Sequence, residues 1–504
     1  MPKFHRLLIV YAVAIPLALT LGYLVATPDM ASFAVVGLVF FVLALPLLLQ
    51  SSHFLLIFCW NSAFVFGFLP GMPQAWFVLA VLAFGISVVN RVMGRSTFLR
   101  APEMMRPLLF LIVVVLVTAK VRGGLGFKVL GGQSYGGKHY LDILVAIMGY
   151  FALTAFPIPV NKSGRMVKWF FLSGTTNALC NVIYMLGPSF YFLYYIITTN
   201  NVGGQILPEW REMDMVRFAG MGPASAALMC FIMARWGLRG VLEWGKLWRF
   251  LLLLAALATE LFSGYRSGFE LLLAILFAQF MVEGLWKTSL LPVAVLLGAL
   301  CLVPVVLFAN KMPGAVQRSL SFLPVDVDPV MRLDAVNTSA WRFELWRAVL
   351  PEVPKYLLLG KGYALNPDEL YMTMQESAMG LNQGYEVAVT TGEFHSGPLS
   401  VLIPFGIFGL IAFLWVLWAG VKVLQSNRRH GDPRLKRVND FLFAYFLVQI
   451  FQFFFVFGAL DSQFYQFMGL LGLSVALNGG VCRKPAPARQ TDLSSSLAAP
   501  AAVA

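Results

Sequence analysis

Residues 398–421 read PLSVLIPFGIFGLIAFLWVLWAGV, an apolar stretch without one charged side chain. A helix that crosses a bilayer needs about 20 mainly apolar residues, and this run meets that length. Runs of the same kind recur on both sides of it, from Leu7 almost to Gly479. Across all 504 residues, 59% are hydrophobic and 12% charged, which excludes a soluble globular composition. The expected fold is all-α and polytopic, with about 14 transmembrane helices.

The expected spans lie near 7–26, 32–49, 53–69, 73–90, 107–119, 141–156, 169–186, 218–234, 250–264, 267–282, 288–309, 398–421, 441–458 and 463–479. The run 107–119 is short and needs Arg106 and Lys120 to snorkel; paired with 141–156 as a re-entrant hairpin it would lower the count to about 12. The aromatic run 188–199 reads as interfacial. On this map residues 1–309 form a membrane domain of eleven spans and 310–396 a large loop. The last three spans occupy 397–480, and 481–504, rich in Pro, Ala and Ser, form a disordered tail.

A net charge of +13 would suit nucleic acid if it were gathered on one soluble face. Instead the basic residues bunch between spans, in clusters such as Arg91, Arg95, Arg100 and Arg106, or Arg235, Arg239, Lys246 and Arg249, or Arg428, Arg429, Arg434, Lys436 and Arg437. Short cytoplasmic loops of membrane proteins carry such an excess. The charge is thereby explained with no nucleic acid, and both termini are expected in the cytoplasm. The first apolar run lacks a convincing cleavage site and reads as a retained helix. The 5 cysteines show neither a disulfide framework nor metal spacing.

The loop 310–396 is expected on the outer, periplasmic face. Thr338 or Ser339 is positioned to cap a helix over 340–350, with Trp341, Leu345 and Ala348 on one face and Pro351 ending it. A second outer region, 187–217, combines aromatics with Glu209, Arg211, Glu212 and Asp214 and is expected to wall a cavity.

Three motifs carry chemistry. His395-Ser396 is followed by nine residues, Gly406, two residues and Gly409, where the loop enters the next span. Ser263-Gly-Tyr-Arg266-Ser-Gly268 sits at the outer tip of a helical hairpin. Trp341-Arg342-Phe-Glu-Leu345-Trp346 precedes Pro351 and Gly360-Lys-Gly362. Arg347 lies about 140° around a helix from Arg342, so one of the two faces a site, and Arg342 is preferred. Each residue also has a plain structural reading: a solvated loop His395, an Arg266 paired with Glu270 or Glu260, an Arg342 paired with loop carboxylates.

Together these motifs resemble the bacterial O-antigen ligase and O-antigen polymerase superfamily over about residues 260–410. The resemblance implies an inverting membrane glycosyltransferase acting on a polyprenyl-diphosphate-linked glycan donor. The acceptor hydroxyl belongs to a glycan, a lipid A core or, in related oligosaccharyltransferases, a protein. The residue types suit that chemistry. A diphosphate leaves without protonation, so transfer needs one base, and a histidine of ordinary pKa near 6.5 serves at pH 7. Arginine's planar fork matches phosphate oxygens, which assigns the diphosphate to Arg266 and Arg342. Neither a metal nor a cofactor is required.

Weaker signals are set aside. Asp326-Val-Asp328 has the form of a nucleotide-sugar metal motif but lies in the outer loop, and Gly124-Leu-Gly126 lacks the Lys-Ser or Lys-Thr of a phosphate loop. Arg211 and Gly222 stand at a polymerase-like spacing, but with 44 glycines such a hit is expected by chance. A transporter or flippase is the rival class; it would place polar residues near the midplane and show inverted repeats, which are not evident here.

Overall fold

The computed structural model describes residues 2–26, 30–94, 98–99, 101–127, 135–206, 216–381 and 385–483. These residues are helical apart from connecting turns and three isolated β-bridges. Six described helices are individually long and apolar enough to cross a membrane: Ala75–Val92, Pro102–Arg122, Met221–Val241, Leu290–Lys311, Gly397–His430 and Pro433–Phe455. Shorter helices, among them Gly137–Leu153, Leu247–Leu261, Arg266–Val282 and Leu460–Leu477, pack between them. The multi-pass membrane class expected from composition stands. Arg95, Arg100, Arg211, Glu209, Glu212, Asp214 and the tail from 484 lie outside the described residues.

Hydrocarbon tails are as apolar as leucine, so helices in a bilayer associate through close packing rather than through expulsion of water. The centre of this bundle shows such packing. Phe413 on Gly397–His430 meets Phe453 at 4.9 Å, Phe467 at 6.0 Å and Phe464 at 6.2 Å between ring centroids. Leu290–Phe308 is the opposite case: none of its described residues is buried.

Helix ends sort into two sets. One end gathers the basic clusters: Arg428 Nε lies 2.8 Å from Asp440 Oδ1 and its Nη2 donates to Val282 O at 2.9 Å. There Glu283 also accepts from the backbone N–H groups of Leu238 and Arg239, at 2.7 and 2.9 Å, where Gly237 interrupts its helix. The other end holds His395 and residues 312–394.

Several expected boundaries shift. Met30–Cys59 is helical throughout, where two spans, 32–49 and 53–69, were expected. Gly37 nevertheless packs on Phe68 at the His395 end, while His53 Nε2 lies 2.8 Å from Leu153 O at the other. The helix therefore runs from one end toward the other between these two residues. The short run 107–119 belongs to the 21-residue helix Pro102–Arg122, about 31 Å long, because the helix continues through Arg106 and Lys120. The span 169–186 starts earlier, at Val160, and is broken by a 3₁₀ stretch, Ser173–Ala178. Pro188–Tyr195 is a 3₁₀ turn with exposed aromatics, as an interfacial segment would be.

In 312–394 the main helix is Pro329–Val349, eleven residues longer at its start than expected. Asp328 is the cap, accepting from Val330 N at 2.7 Å, and Pro329 occupies the first turn. Thr338 and Ser339 instead bond back to Asp334 O and Ala335 O inside the helix. Its buried face includes Leu345 and Val349 rather than Ala348, which is exposed.

Gly397–His430 is itself interrupted. Gly406 has φ 64° and ψ −162°, outside the helical region. Two carbonyls at this break accept bonds from a neighbouring turn: Lys361 N donates to Ile403 O at 2.7 Å and Gly362 N to Pro404 O at 2.9 Å. In return Ile407 N donates to Leu357 O at 2.7 Å. The Gly360-Lys-Gly362 turn is thus the part that closes the break in the His395 helix. Gly406→Ala places a Cβ against Leu358 O in a positive-φ conformation. It is expected to destabilise the fold by roughly 1–3 kcal/mol, read as a lower melting temperature of the detergent-solubilised protein.

Candidate functional site

His395 stands two residues before the first residue of its helix, with φ 49°. A left-handed backbone at a non-glycine residue is uncommon and marks a position held by its surroundings. Two aromatic rings hold this one edge to face: Trp341 at 5.2 Å and Phe457 at 5.0 Å between centroids. Trp346, one turn along from Trp341, donates Nε1–H to Phe394 O at 2.9 Å. The helix Pro329–Val349 is thereby fixed to the residue before His395.

The His395 Nδ1 atom is buried, and no described residue gives it a hydrogen bond. Burial, with the Arg342 charge adding to it, lowers the imidazole from its ordinary value to about 4. The ring is consequently neutral at pH 7. Arg342 is half-buried and Arg347 exposed. Burial lowers Arg342 too, opposed by Glu270 and reinforced by Arg318.

Arg266 begins the helix Arg266–Val282 and reaches across to the same loop helix, donating to Ala335 O at 2.8 Å and Ser339 Oγ at 3.1 Å. It lies within electrostatic range of Arg342, Arg318, Glu270 and Asp334. The three expected site residues are therefore gathered around one helix, Pro329–Val349. Glu270 makes no ion pair with Arg266 among the described residues. Nor is Glu260 its partner: Glu260 accepts from Ser263 Oγ at 2.9 Å, because the turn at Gly264 brings Ser263 back over it. Gly268 faces the same carboxylate so closely that a Cβ there would collide with Oε1. The Ser and Gly positions flanking Arg266 thus build a seat for Glu260.

The sequence did not reveal the charged groups behind Arg266 and Arg342. Arg318 is buried and contacts Asp334 through Nε, Gly264 O through Nη1 at 2.7 Å and Thr338 Oγ1 through Nη2 at 3.1 Å. Arg217, also buried, shares the same Asp334 carboxylate at 3.4 Å. Burial and the nearby Arg318 lower Arg217 to about 10. Asp326 and Asp328 are occupied structurally, by Asn310 and by the helix cap. His139 Nδ1 lies 2.6 Å from Asp461 Oδ2, joining two helix starts at this end.

A neighbouring cavity of about 590 Å³ shares Phe457 with His395 and is lined by Tyr265 and Ser267, on either side of Arg266. Asn201, from the region expected to wall a cavity, lines it too. Asp334→Ala removes the carboxylate common to two buried arginines and is expected to cost on the order of 3 kcal/mol. Thermal unfolding in detergent measures this, and an unchanged midpoint would mean that the cluster does not hold the loop in place.

This arrangement offers a neutral imidazole beside a fixed cationic group at the junction of a loop and a helix bundle. Comparison with curated proteins finds no match. Residues 250–414, about a third of the chain, match the model of the family described as O-antigen ligase, and that segment includes Arg266, Arg342, His395, Gly406 and Gly409. Residues 250–414 thus carry an O-antigen ligase domain, which supports the O-antigen ligase and polymerase superfamily.

Proposed function

We propose that the protein is an inverting glycan transferase of a bacterial inner membrane, with 12 to 14 spans, as counted from runs of about 20 apolar residues, and with both termini in the cytoplasm. The observation that carries this reading is the placement of His395 beside Arg342, with Arg266 bonded to the same helix. A polyprenyl-diphosphate-linked glycan binds at the outer mouth with its diphosphate against Arg266 and Arg342. His395 takes the proton of an acceptor hydroxyl as that oxygen bonds to the anomeric carbon. The bond from that carbon to the diphosphate breaks, and the leaving oxygen keeps the electron pair. Arginine charge stabilises the developing negative charge, and no proton needs to reach the leaving group. The ligase branch, with a lipid A core acceptor, is favoured by the His395–Gly409 motif; a polymerase would join the same donor to a second lipid-linked repeat.

His395→Ala is expected to abolish transfer while leaving the protein abundant. Accumulation of long lipid-linked polymer identifies the ligase step, single repeat units identify polymerisation, and unaltered surface glycan would remove His395 as the base.

The pH profile follows from the charges around the ring. In the free enzyme His395 is deprotonated above about 4, so kcat/KM stays flat from pH 7 down to 5 and falls only near that value. Binding the diphosphate offsets the Arg342 charge, the smaller of the two causes, and so moves the imidazole upward while burial still holds it below its ordinary value. The acid limb of kcat is therefore expected at higher pH than that of kcat/KM; coincident limbs would show that Arg342 does not face the diphosphate.

A further inference from the structure

The cavity beside the site has a chemical character that the transfer mechanism does not use. Its volume, about 590 Å³, falls within the range of roughly 300–1,000 Å³ typical of small-molecule sites. Amide side chains and aromatic rings dominate the lining. Among the described lining residues there is no Lys, Arg or His, and Glu260 is the single carboxylate, already bonded to Ser263. Most of the lining comes from outside residues 250–414, so the family match assigns it nothing.

The amides fall into two groups. One group is committed: Asn61 Nδ2 donates to Phe170 O at 2.8 Å, Asn177 Nδ2 to Gly174 O at 2.9 Å, and Asn201 Nδ2 to Asn177 Oδ1 at 3.3 Å. These bonds fix the wall where Ser173–Ala178 departs from α-helical geometry. The second group is uncommitted. Among the described residues the Gln452 amide has no hydrogen bond, and Gln463 uses only its oxygen, accepting from Ala459 N at 3.3 Å. Aromatic packing stiffens the opposite wall: Trp76 stacks on Tyr465 at 4.6 Å with 12° between planes, and Trp60 donates to Tyr465 O at 3.2 Å.

Polar side chains inside a membrane bundle are costly unless they serve a ligand or a water-filled path. A carboxamide both donates and accepts, which matches a sugar hydroxyl that does the same. The flat apolar face of a pyranose suits an aromatic wall. A phosphate or a uronic acid, by contrast, finds no cation here. We infer that the cavity is a subsite for an uncharged sugar of the transferred or accepting glycan. This rests on the transferase reading above. Phe457 and Tyr265 belong to the cavity wall and also border the His395 and Arg266 side, so a glycan held here continues directly to the reacting carbon.

The test uses the full-length protein in its host membrane and the host's own lipid-linked glycan as probe. Gln463 is replaced by benzoylphenylalanine, a photo-cross-linking residue, in the His395→Ala background. Ultraviolet exposure is expected to yield a protein adduct carrying the glycan, detected by mass and by carbohydrate stain. Adding Ala226→Phe, which fills the cavity without removing a hydrogen bond, is expected to lower the adduct yield by roughly tenfold, the loss of about one well-made contact. Adducts with phospholipid alone, or a yield that Ala226→Phe leaves unchanged, overturn the inference. If the glycan adduct forms although His395→Ala still transfers, the subsite stands and the catalytic assignment falls.

Discussion

A helix inside a bilayer cannot release backbone groups unless something takes them up. The break at Gly406 is therefore the constraint on which the rest of the site depends. The carbonyls of Ile403 and Pro404 are satisfied by the turn at Lys361 and Gly362, and that turn closes a segment beginning at the loop helix Pro329–Val349. Ring contacts and the Trp346 bond to Phe394 O fasten the same helix at the other side. His395 is held between these two attachments, which is why a strained backbone persists there. Loop and membrane helix form one mechanical unit rather than a lid resting on a scaffold.

The electrostatics repeat this layered arrangement. Four arginines, Arg217, Arg266, Arg318 and Arg342, approach one another with Asp334 and Glu270 as the nearby carboxylates. Arg217 and Arg318 share Asp334, which leaves Arg266 on neutral acceptors and Arg342 without an ion pair among the described residues. An unbalanced cationic pair in a partly desolvated mouth favours a multiply charged anion. Burial keeps His395 neutral, and the Arg342 charge adds to it.

Much of this was legible in the sequence because it is written locally. Apolar runs of bilayer length specify the class, and a histidine set eleven residues before Gly406 marks the junction. Arg266 stood out as a charge between two apolar runs, and helix periodicity separated Arg342 from Arg347. What escaped was written across distance. Arg318 and Asp334 are ordinary in their own segments and become a pair only when two helices meet. The start at Pro329 was missed because Asp328 was weighed as part of an Asp-x-Asp motif, not as a cap. The continuity of Met30–Cys59 and the break at Ser173–Ala178 depend on packing that hydropathy does not encode. The amides of the cavity are scattered from Asn61 to Gln466, with no spacing to betray them.

Leu290–Phe308 joins the Arg266 hairpin to the loop, yet none of its described residues is buried against the bundle. Apart from Leu290 and Val305, which pack partly on neighbouring clusters, its described side chains answer mainly to solvent character. Any apolar residue of moderate helix preference serves equally at most of its positions, so this segment is free to drift in sequence while its length is held. Natural variants and laboratory libraries would then differ most where the chain is most hydrophobic, the reverse of what holds in a soluble protein's interior.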